Sequence, residues 1–280
     1  MSFKIVSDSS SDIYSSDAVP FASVPLKIIT DEREYVDDKY LKVDEMIKDL
    51  QKYKGTSRSS CPNTNDWLEA FGDAENIFCV TITSGLSGSY NSAVLAAEEY
   101  MAAHPERRVC VIDSLSAGAE NALIVEKLCE LIKEGLTYEE IENRTREYIK
   151  STHLVFCLQS LKNLANNGRV SKAVAKVAGI LGIRVIGVAS LSGTLELTDK
   201  VRGHEKSVAK VYENMVKLGY TGGKVRIHYC ENSTAAGDLS SIIKAQHSAA
   251  EITLVKTGAL CSFYAEEGGL LIGFEGKSKY

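Results

Sequence analysis

One stretch of the sequence constrains the fold more than any other, because an apolar run, a loop of serines and glycines, and a helix-forming segment follow one another directly. Residues 77–80 are apolar and bounded by turn signals, which is typical of a buried strand. Residues 94–101 are rich in strong helix formers, and the loop between, residues 81–93, reads TITSGLSGSYNSA. Such alternation predicts an α/β fold whose loops gather at the carboxyl ends of the strands, where ligands collect.

The composition of this loop indicates an anion-binding site. When a strand leads through a loop into a helix, the first amide N–H groups of the helix and the positive end of its dipole face the loop. Gly85 and Gly88 allow a close backbone approach and unusual φ angles, whereas Ser84, Ser87 and Ser89 supply hydroxyl donors. The alternative is an ordinary capped helix with a flexible entry loop. We favour the anion site.

We predict two α/β domains that divide near residue 150. Residues 1–150 form the N-terminal domain, which carries the Ser/Gly loops. Because Pro25 lacks an amide N–H, the single strand expected at residues 24–29 lies at a sheet edge or begins there. The apolar patterns predict strands at 3–6, 24–29, 77–80 and 109–113, and helices at 43–53, 64–71, 94–101, 119–134 and 137–150.

Residues 151–280 form the predicted C-terminal α/β domain, which has a mixed sheet. Ser192 and Gly193 separate two strand-like runs and predict a hairpin. Residues 256–269 show no regular pattern, and we expect an irregular stretch there. Strands are predicted at 154–158, 184–188, 194–197, 225–229, 251–255 and 270–274, and helices around 161–167 and at 171–178, 204–218 and 235–246.

Several function classes are excluded by what the sequence lacks. The net charge of −5 argues against nucleic acid as a partner, and the five histidines are scattered without the spacing of metal ligands. There is neither a Walker A lysine nor a G-x-G-x-x-G motif, and no apolar run of about eighteen residues that would insert stably in a membrane. The seven cysteines include no close pair, and the start of the chain does not resemble a signal peptide. A cytoplasmic protein is expected.

Two other segments and the loop itself leave more than one interpretation open. Residues 55–63 are rich in small hydroxyl side chains, but taken alone they are typical of a loop and helix cap. Residues 168–172, which include Arg169, fit either a phosphate contact or a helix C-cap with a solvated arginine. The run from Gly85 to Ser89 is not the G-x-S-x-G of a nucleophile elbow. What remains is a hydroxyl-rich anion site beside aliphatic surfaces, which suits an amphiphile such as a fatty acid.

Taken together, the motifs resemble the DegV family of bacterial fatty-acid-binding proteins over nearly the whole chain. The family opens with D-S-x-x-D-L and has T-S-Q-P and S-G-x-S-G-T-Y-x-S-A further on. The matching segments here are residues 7–13, Val24-Pro25-Leu26, Ser59-Ser60-Cys61-Pro62, residues 84–93, Asp113-Ser114, Gly168-Arg169-Val170-Ser171 and Lys200-Val201-Arg202-Gly203.

The resemblance implies two α/β domains of the DegV type with a long-chain fatty acid in the cleft between them. In the family, the hydroxyl of T-S-Q-P and the second serine of S-G-x-S-G hold the carboxylate. Some members present the acid to an ATP-dependent fatty acid kinase, which is therefore a candidate partner. The binding subunit is not itself a catalyst, so no catalytic residue, metal or cofactor is expected. The ligand-binding residues predicted in this way are Ser59, Ser60, Ser84, Ser87, Gly88, Arg169 and Tyr264.

The sequence departs from the family near its C-terminus. The family's H-x-G-P-G aligns with residues 264–268, so Tyr264 stands where a histidine reaches the ligand head group. A tyrosine hydroxyl still donates one hydrogen bond to a carboxylate, but it carries no positive charge near neutral pH. Two unit charges ~5 Å apart at an effective dielectric of about 20 repel by about 3 kcal/mol, so Glu266 and Glu267 would weaken binding if they faced the ligand. We favour the interpretation in which both face solvent.

Two other functions stay open at this point. One is a carrier that has diverged towards another amphiphile or small ligand, with the altered residues 264–268 fitting a neutral or cationic head group. The other is an acyl hydrolase that uses Ser87, which would need a base within hydrogen-bond reach. Preference for chain length or unsaturation does not follow from the sequence.

Overall fold

A computed structural model describes residues 2–172 and 182–280. The strands in these ranges are β1 (Phe3–Asp8), β2 (Phe21–Val24), β3 (Lys27–Ile29), β4 (Glu34–Val36), β5 (Arg58–Ser60), β6 (Asn76–Thr81), β7 (Arg108–Asp113), β8 (Thr152–Leu158), β9 (Ile183–Ala189), β10 (Leu195–Arg202), β11 (Val225–Tyr229), β12 (Ile252–Lys256) and β13 (Leu270–Glu275). The helices are α1 (Val43–Lys52), α2 (Thr64–Phe71), α3 (Ser89–Ala103), α4 (Ala119–Lys133), α5 (Tyr138–Ile149), α6 (Lys162–Asn166), α7 (His204–Lys217), α8 (Ser233–Gln246) and α9 (Ala259–Ala265).

The first sheet is parallel throughout and has the strand order β2-β1-β6-β7. All six residues of β6 are buried, as expected of a central parallel strand with both faces covered. Ile77 and Cys79 pack with α2 and α3 on one face, whereas Phe78 and Val80 pack with α4 and α5 on the other. The predicted strand, loop and helix around residues 77–101 are therefore confirmed.

The largest sheet is mixed, with the strand order β10-β9-β8-β13-β11-β12. Only β11 and β12 pair in parallel, and the remaining neighbours are antiparallel, including the predicted hairpin of β9 and β10. Helices α7 and α8 pack on one face. On the other face β13 meets the start of α4, where a Cβ at Gly273 would lie 2.4 Å from the backbone of Ala119. The mixed α/β class is confirmed, and the division into domains near residue 150 stays a prediction.

A third, small antiparallel sheet has the order β4-β3-β5 and corrects one prediction. Residues 24–29 do not form one strand, because β2 ends at Val24 in the parallel sheet and β3 begins at Lys27 in the small one. The break falls at Pro25, which has no amide N–H to donate to a ladder. The amide of Leu26 donates instead to the Ser9 hydroxyl, 3.0 Å away.

Of the other predicted elements, one is corrected, one lies outside the described residues and one is confirmed. The stretch 256–269 is not irregular throughout, because it contains α9. The helix predicted at 171–178 lies almost entirely outside the described residues. The helix predicted from residue 137 is confirmed, and it begins with a capping box, in which the Thr137 side chain accepts from the amide of Glu140 and the Glu140 carboxylate accepts from the amide of Thr137. In the described ranges, no helix is both long enough and apolar enough to span a bilayer.

Candidate functional site

An apolar cavity lies where the carboxyl ends of β1 and β6 face α9 and the mixed sheet. It contains about 680 Å³ of empty space, counting the part that is open to solvent. Its apolar wall comes from both halves of the sequence and includes Leu26, Ile82, Leu154, Phe156, Leu158, Leu260 and Leu271. Such a wall accommodates a hydrocarbon chain without leaving polar groups unpaired.

Four of the predicted site residues line this cavity, namely Ser59, Ser87, Arg169 and Tyr264. The Ser59 Oγ and Tyr264 Oη atoms are 2.6 Å apart. The Arg169 Nε atom donates to the carbonyl oxygen of Leu86, the residue before Ser87, at 2.9 Å. The cavity therefore combines a long apolar wall with a group of three hydroxyls and one guanidinium.

The hydroxyl pair of Ser59 and Tyr264 joins two distant elements. Ser59 lies on β5, in register with Ile28 of β3, and Tyr264 lies near the end of α9. In a pair this close, one hydroxyl donates to the other. The accepting hydroxyl keeps its own proton for a ligand oxygen, and the bond that it accepts makes it a more acidic donor. Burial raises the pKa of Tyr264, while the Ser59 hydrogen bond and the charge of Arg169 oppose that shift. Tyr264 is therefore a neutral donor across the physiological range.

The Ser/Gly loop offers one hydroxyl, that of Ser87, to the cavity, and its amides are largely engaged within the protein. The Ser87 hydroxyl oxygen accepts from the amide of Ser89 at 3.2 Å, which leaves the Ser87 proton available. The expectation of a row of free backbone donors is therefore wrong for much of the loop. The amides already bonded are those of Ser84 to Asp113 Oδ1, Gly85 to Thr83 Oγ1, Leu86 and Ser87 to the Thr83 carbonyl, and Ser89 to Ser87 Oγ.

The two glycines of the loop serve close packing and do not adopt unusual backbone angles. Neither has a positive φ, and Gly88 is helical at φ −73°. A Cβ at Gly85 would lie 3.1 Å from the carbonyl oxygens of Ser192 and Gly193 in the turn between β9 and β10, and one at Gly88 would lie 3.2 Å from the Cys61 sulfur. The predicted unusual φ angles are therefore wrong, and the predicted close approach of this backbone to an anion stays a prediction.

Three predicted ligand residues do not line the cavity. Ser60 follows Ser59 on β5, and successive side chains of a strand point to opposite faces. Ser84 is exposed, and Gly88 caps the start of α3. Their part in ligand binding stays a prediction.

The segment around Arg169 forms a helix C-cap, which is one of the two interpretations that the sequence left open, and the anion contact stays a prediction. Its amide donates to the carbonyl of Leu164 at 2.8 Å, and Gly168 has φ +75°, so the segment ends α6 as a helix C-cap. The side chain is nevertheless half-buried at the cavity and donates to Leu86 and Asn167. The predicted C-cap is confirmed, and the prediction that the Arg169 side chain is solvated is wrong.

Asp8 is a residue of the site whose role the sequence analysis did not predict, although it lies in the matched segment 7–13. Its fully buried carboxylate accepts from the amide of Ile82 at 2.9 Å and from the hydroxyls of Ser89 and Ser10 at 2.6 Å and 2.5 Å. Burial raises the pKa of Asp8, while the hydrogen bonds from Ser10, Ser89 and Ile82 oppose the shift. A carboxyl group therefore lies beside the start of α3, and it belongs to the protein.

Two more carboxylates hold the start of α9. Asp12 Oδ1 accepts from the amide of Gly258 at 2.9 Å, and the two oxygens of Asp37 accept from the amides of Ala259 and Leu260 at 2.8 Å and 3.0 Å. They satisfy helix amides that otherwise have no partner. The N-cap residue, Gly258, has no side chain to cap the helix, so distant parts of the chain satisfy these amides.

The same two carboxylates are deeply buried and near each other. Asp37 also accepts from the Tyr14 hydroxyl at 2.7 Å, and Asp12 Oδ2 is 2.7 Å from His228 Nδ1. Burial, together with the charge of Asp12, raises the pKa of Asp37 to about 6.

Glu266 and Glu267 do not line the apolar cavity. Glu266 Oε1 accepts from the amide of Asn163 at 3.1 Å, and Glu267 Oε2 accepts from Gln51 Nε2 at 2.8 Å. Both border a separate polar cleft against α1 and α6. The chain turns after α9 at Glu266, which has φ +54°. That both carboxylates stay away from the head group of a bound ligand remains a prediction.

Comparison with known proteins gives consistent matches along the whole chain. The model of a family described as uncharacterised protein, DegV family, matches residues 2–277. A DegV domain-containing protein of Streptococcus pneumoniae is 45% identical over 280 residues, covering 98% of this chain and 99% of the relative.

Two solved structures have nearly the same fold. A DegV family protein from Eubacterium eligens, loaded with heptadecanoic acid, is 44% identical with a TM-score of 0.96 and covers 99% of this chain and 100% of that chain. The Fatty Acid Kinase B3 protein of Streptococcus pneumoniae, loaded with linoleic acid, has the same identity, TM-score and coverage.

Proposed function

Since this chain belongs to the DegV family, we propose that it binds a long-chain fatty acid, with the acyl chain in the apolar cavity and the carboxylate at Ser59, Ser87, Arg169 and Tyr264. The observation that carries the proposal is the composition of the cavity lining. It is mostly aliphatic, and it also includes the hydroxyls of Ser59, Ser87 and Tyr264 and the Arg169 guanidinium. The fatty acids bound by the two solved relatives support the same ligand class.

The energetics of such a ligand fit the cavity. Each buried methylene contributes about 0.8 kcal/mol, so the acyl chain supplies most of the affinity. A carboxylate is expensive to desolvate unless several donors replace its water. Here three hydroxyls and the Arg169 guanidinium are available, and hydrogen bonds to a charged group contribute about 1.5–3 kcal/mol each.

We further propose that the protein presents its ligand to an ATP-dependent fatty acid kinase and does not transform it. The relation to a Fatty Acid Kinase B protein supports this partner. Ser87 hydrogen-bonds Thr83 and Ser89, and neither residue is a general base that would activate a serine for acyl hydrolysis. Predicted location in the cytoplasm is compatible with such a partner.

The test is native mass spectrometry of protein purified from a bacterial host, with lipid extraction after denaturation. We expect a retained adduct with the mass of palmitate, oleate or a similar acid, released as free fatty acid. Protein that is empty and also ignores added palmitate and oleate would overturn the proposal. An adduct with a different head group would favour the diverged carrier, which labelled lipids with neutral and cationic heads would then identify.

A further inference from the structure

The short segment from α6 to Arg169 touches every element that supplies a hydroxyl to the carboxylate site. Towards α9, the Asn163 side chain donates to the carbonyl of Phe263 at 2.8 Å, next to Tyr264. Towards the Ser/Gly loop, Arg169 donates to Leu86. Asn167 makes the third connection, to β5.

Asn167 binds the free edge of the small sheet as a neighbouring strand would. Its Oδ1 accepts from the amide of Ser59 at 3.4 Å, and its Nδ2 donates to the carbonyl of Ser57 at 3.2 Å. Among the described residues, the order β4-β3-β5 leaves one edge of β5 without a neighbouring strand, and the side-chain amide supplies one acceptor and one donor to it. The backbone that carries Ser59 is fixed in this way without a further strand.

The remaining bonds of Asn167 link that edge to the other two elements. Nδ2 also donates to the carbonyl of Asn163 at 2.9 Å, and the Asn167 carbonyl accepts from Arg169. Asparagine is the residue type that this position requires, since aspartate has no donor and alanine has neither donor nor acceptor. Asn167 itself is not among the residues that line the cavity.

We propose that Asn167 is a positioning residue for carboxylate recognition, which holds the Ser59 hydroxyl in register with Tyr264 on α9 and with the Ser87 loop. The inference rests on the proposed function, because it names a residue that acts on the same site without touching the ligand. Its loss loosens the hydroxyl pair and leaves the apolar wall intact. Recognition of the head group therefore weakens more than binding of the tail.

The experiment compares Asn167→Ala with Asn166→Ala, an exposed neighbour at the same end of α6. Dissociation constants are measured for palmitate and for hexadecanol, which has the same tail and no charge. We expect Asn167→Ala to bind palmitate about tenfold more weakly, since tenfold corresponds to about one hydrogen bond, with hexadecanol changed less than about twofold. Asn166→Ala keeps the wild-type ratio of the two constants.

A second variant of the same segment allows the inference to be tested even if Asn167→Ala does not fold. Asn163→Ala cuts the link from the same segment to α9 and is expected to lower the palmitate preference in the same direction. In a Tyr264→Phe background, Asn167→Ala should add little further loss of preference, because the hydroxyl pair through which it acts is already broken.

The outcomes separate the inference from the proposed function. If the folded Asn167→Ala and Asn163→Ala proteins keep the wild-type preference for palmitate, or lose affinity for acid and alcohol equally, Asn167 has no positioning role. If wild-type protein binds neither palmitate nor another fatty acid, the proposed function fails and the inference fails with it.

Discussion

The two sides of the carboxylate site are built in different ways. The Ser87 side is a loop between β6 and α3, anchored by Asp8 on the neighbouring strand and by its own Thr83. The Tyr264 side is the seven-residue α9, whose first amides are held by Asp12 and Asp37 from more than two hundred residues earlier in the chain. One side is supported largely by a buried parallel sheet, and the other by long-range contacts to a short helix.

Because the two sides are supported in different ways, we expect them to depend on different interactions for their stability and position. A loop at the end of a fully buried strand shares the stability of its sheet, because it cannot move without breaking that core. Helix α9 is too short to be stable alone and depends on its anchors and packing. We therefore expect changes to the Asp8 anchor to act on folding, and changes around α9 to act on pH dependence and on ligand binding.

The largest expected effect is that of Asp8→Ala on stability. The change leaves the Ile82 amide and the hydroxyls of Ser10 and Ser89 without their acceptor in the core, and such losses together amount to about 3–5 kcal/mol. Urea unfolding measures this, with the exposed Ser84→Ala as the control that stays within about 0.5 kcal/mol. A loss below about 1 kcal/mol would show that the loop does not depend on its buried carboxylate.

Asp37→Asn tests the pH dependence of the other side. Because the folded-state pKa of about 6 lies above the ordinary value of 3.8, the folded protein binds the proton more tightly than the unfolded chain. The contribution of Asp37 to stability is complete below the ordinary value and is lost as the pH rises through about 6, by roughly 3 kcal/mol in all.

The measurement is the free energy of unfolding from about pH 4 to about pH 7 for wild type and Asp37→Asn. Wild type should lose stability relative to the variant as the pH rises across this window. Parallel profiles would mean that Asp37 titrates no differently in the folded and unfolded states.

Removing a single hydroxyl on either side tests whether both sides hold the ligand. Tyr264→Phe and Ser87→Ala should each weaken palmitate binding by about 1–3 kcal/mol, because each removes a bond to a charged group. Calorimetric titration gives both values. Wild-type affinity should also stay level between about pH 7 and about pH 9, since Tyr264 remains protonated there. If one of the variants binds as wild type does, the carboxylate lies against the other side only.

The smallest expected effect concerns the two glutamates beyond α9. Because Glu266 and Glu267 border the polar cleft and bind Asn163 and Gln51, Glu267→Gln should change palmitate affinity by less than about 0.5 kcal/mol, as screened surface charges do. Glu266→Gln keeps an acceptor for Asn163 and serves as the paired measurement. A gain of tenfold or more in either variant would place that carboxylate near the ligand after all.

Features that neighbouring residues specify were predicted well from the sequence. The strand at Asn76–Thr81 and the helix that follows Thr137 both follow from local patterns. The ligand contacts that the motifs assign to Ser59 and Ser87 stay predictions, although both residues line the cavity. Helix α9 and the roles of Asp8 and Asp37 did not, because their partners are far apart in the chain. The break at Pro25 belongs to the same class, since the two strands that it separates join different sheets.

The hydrogen bond between Ser59 and Tyr264 has a consequence for the release of a ligand. In the free protein one of the two hydroxyls already donates to the other, so an arriving carboxylate finds one idle donor in the pair and gains the second only by replacing the bond between them. The head group consequently gains less free energy than its contacts suggest, and on departure it leaves behind a pair that closes on itself. A carrier built in this way retains its cargo chiefly by the tail and gives up the reactive end readily.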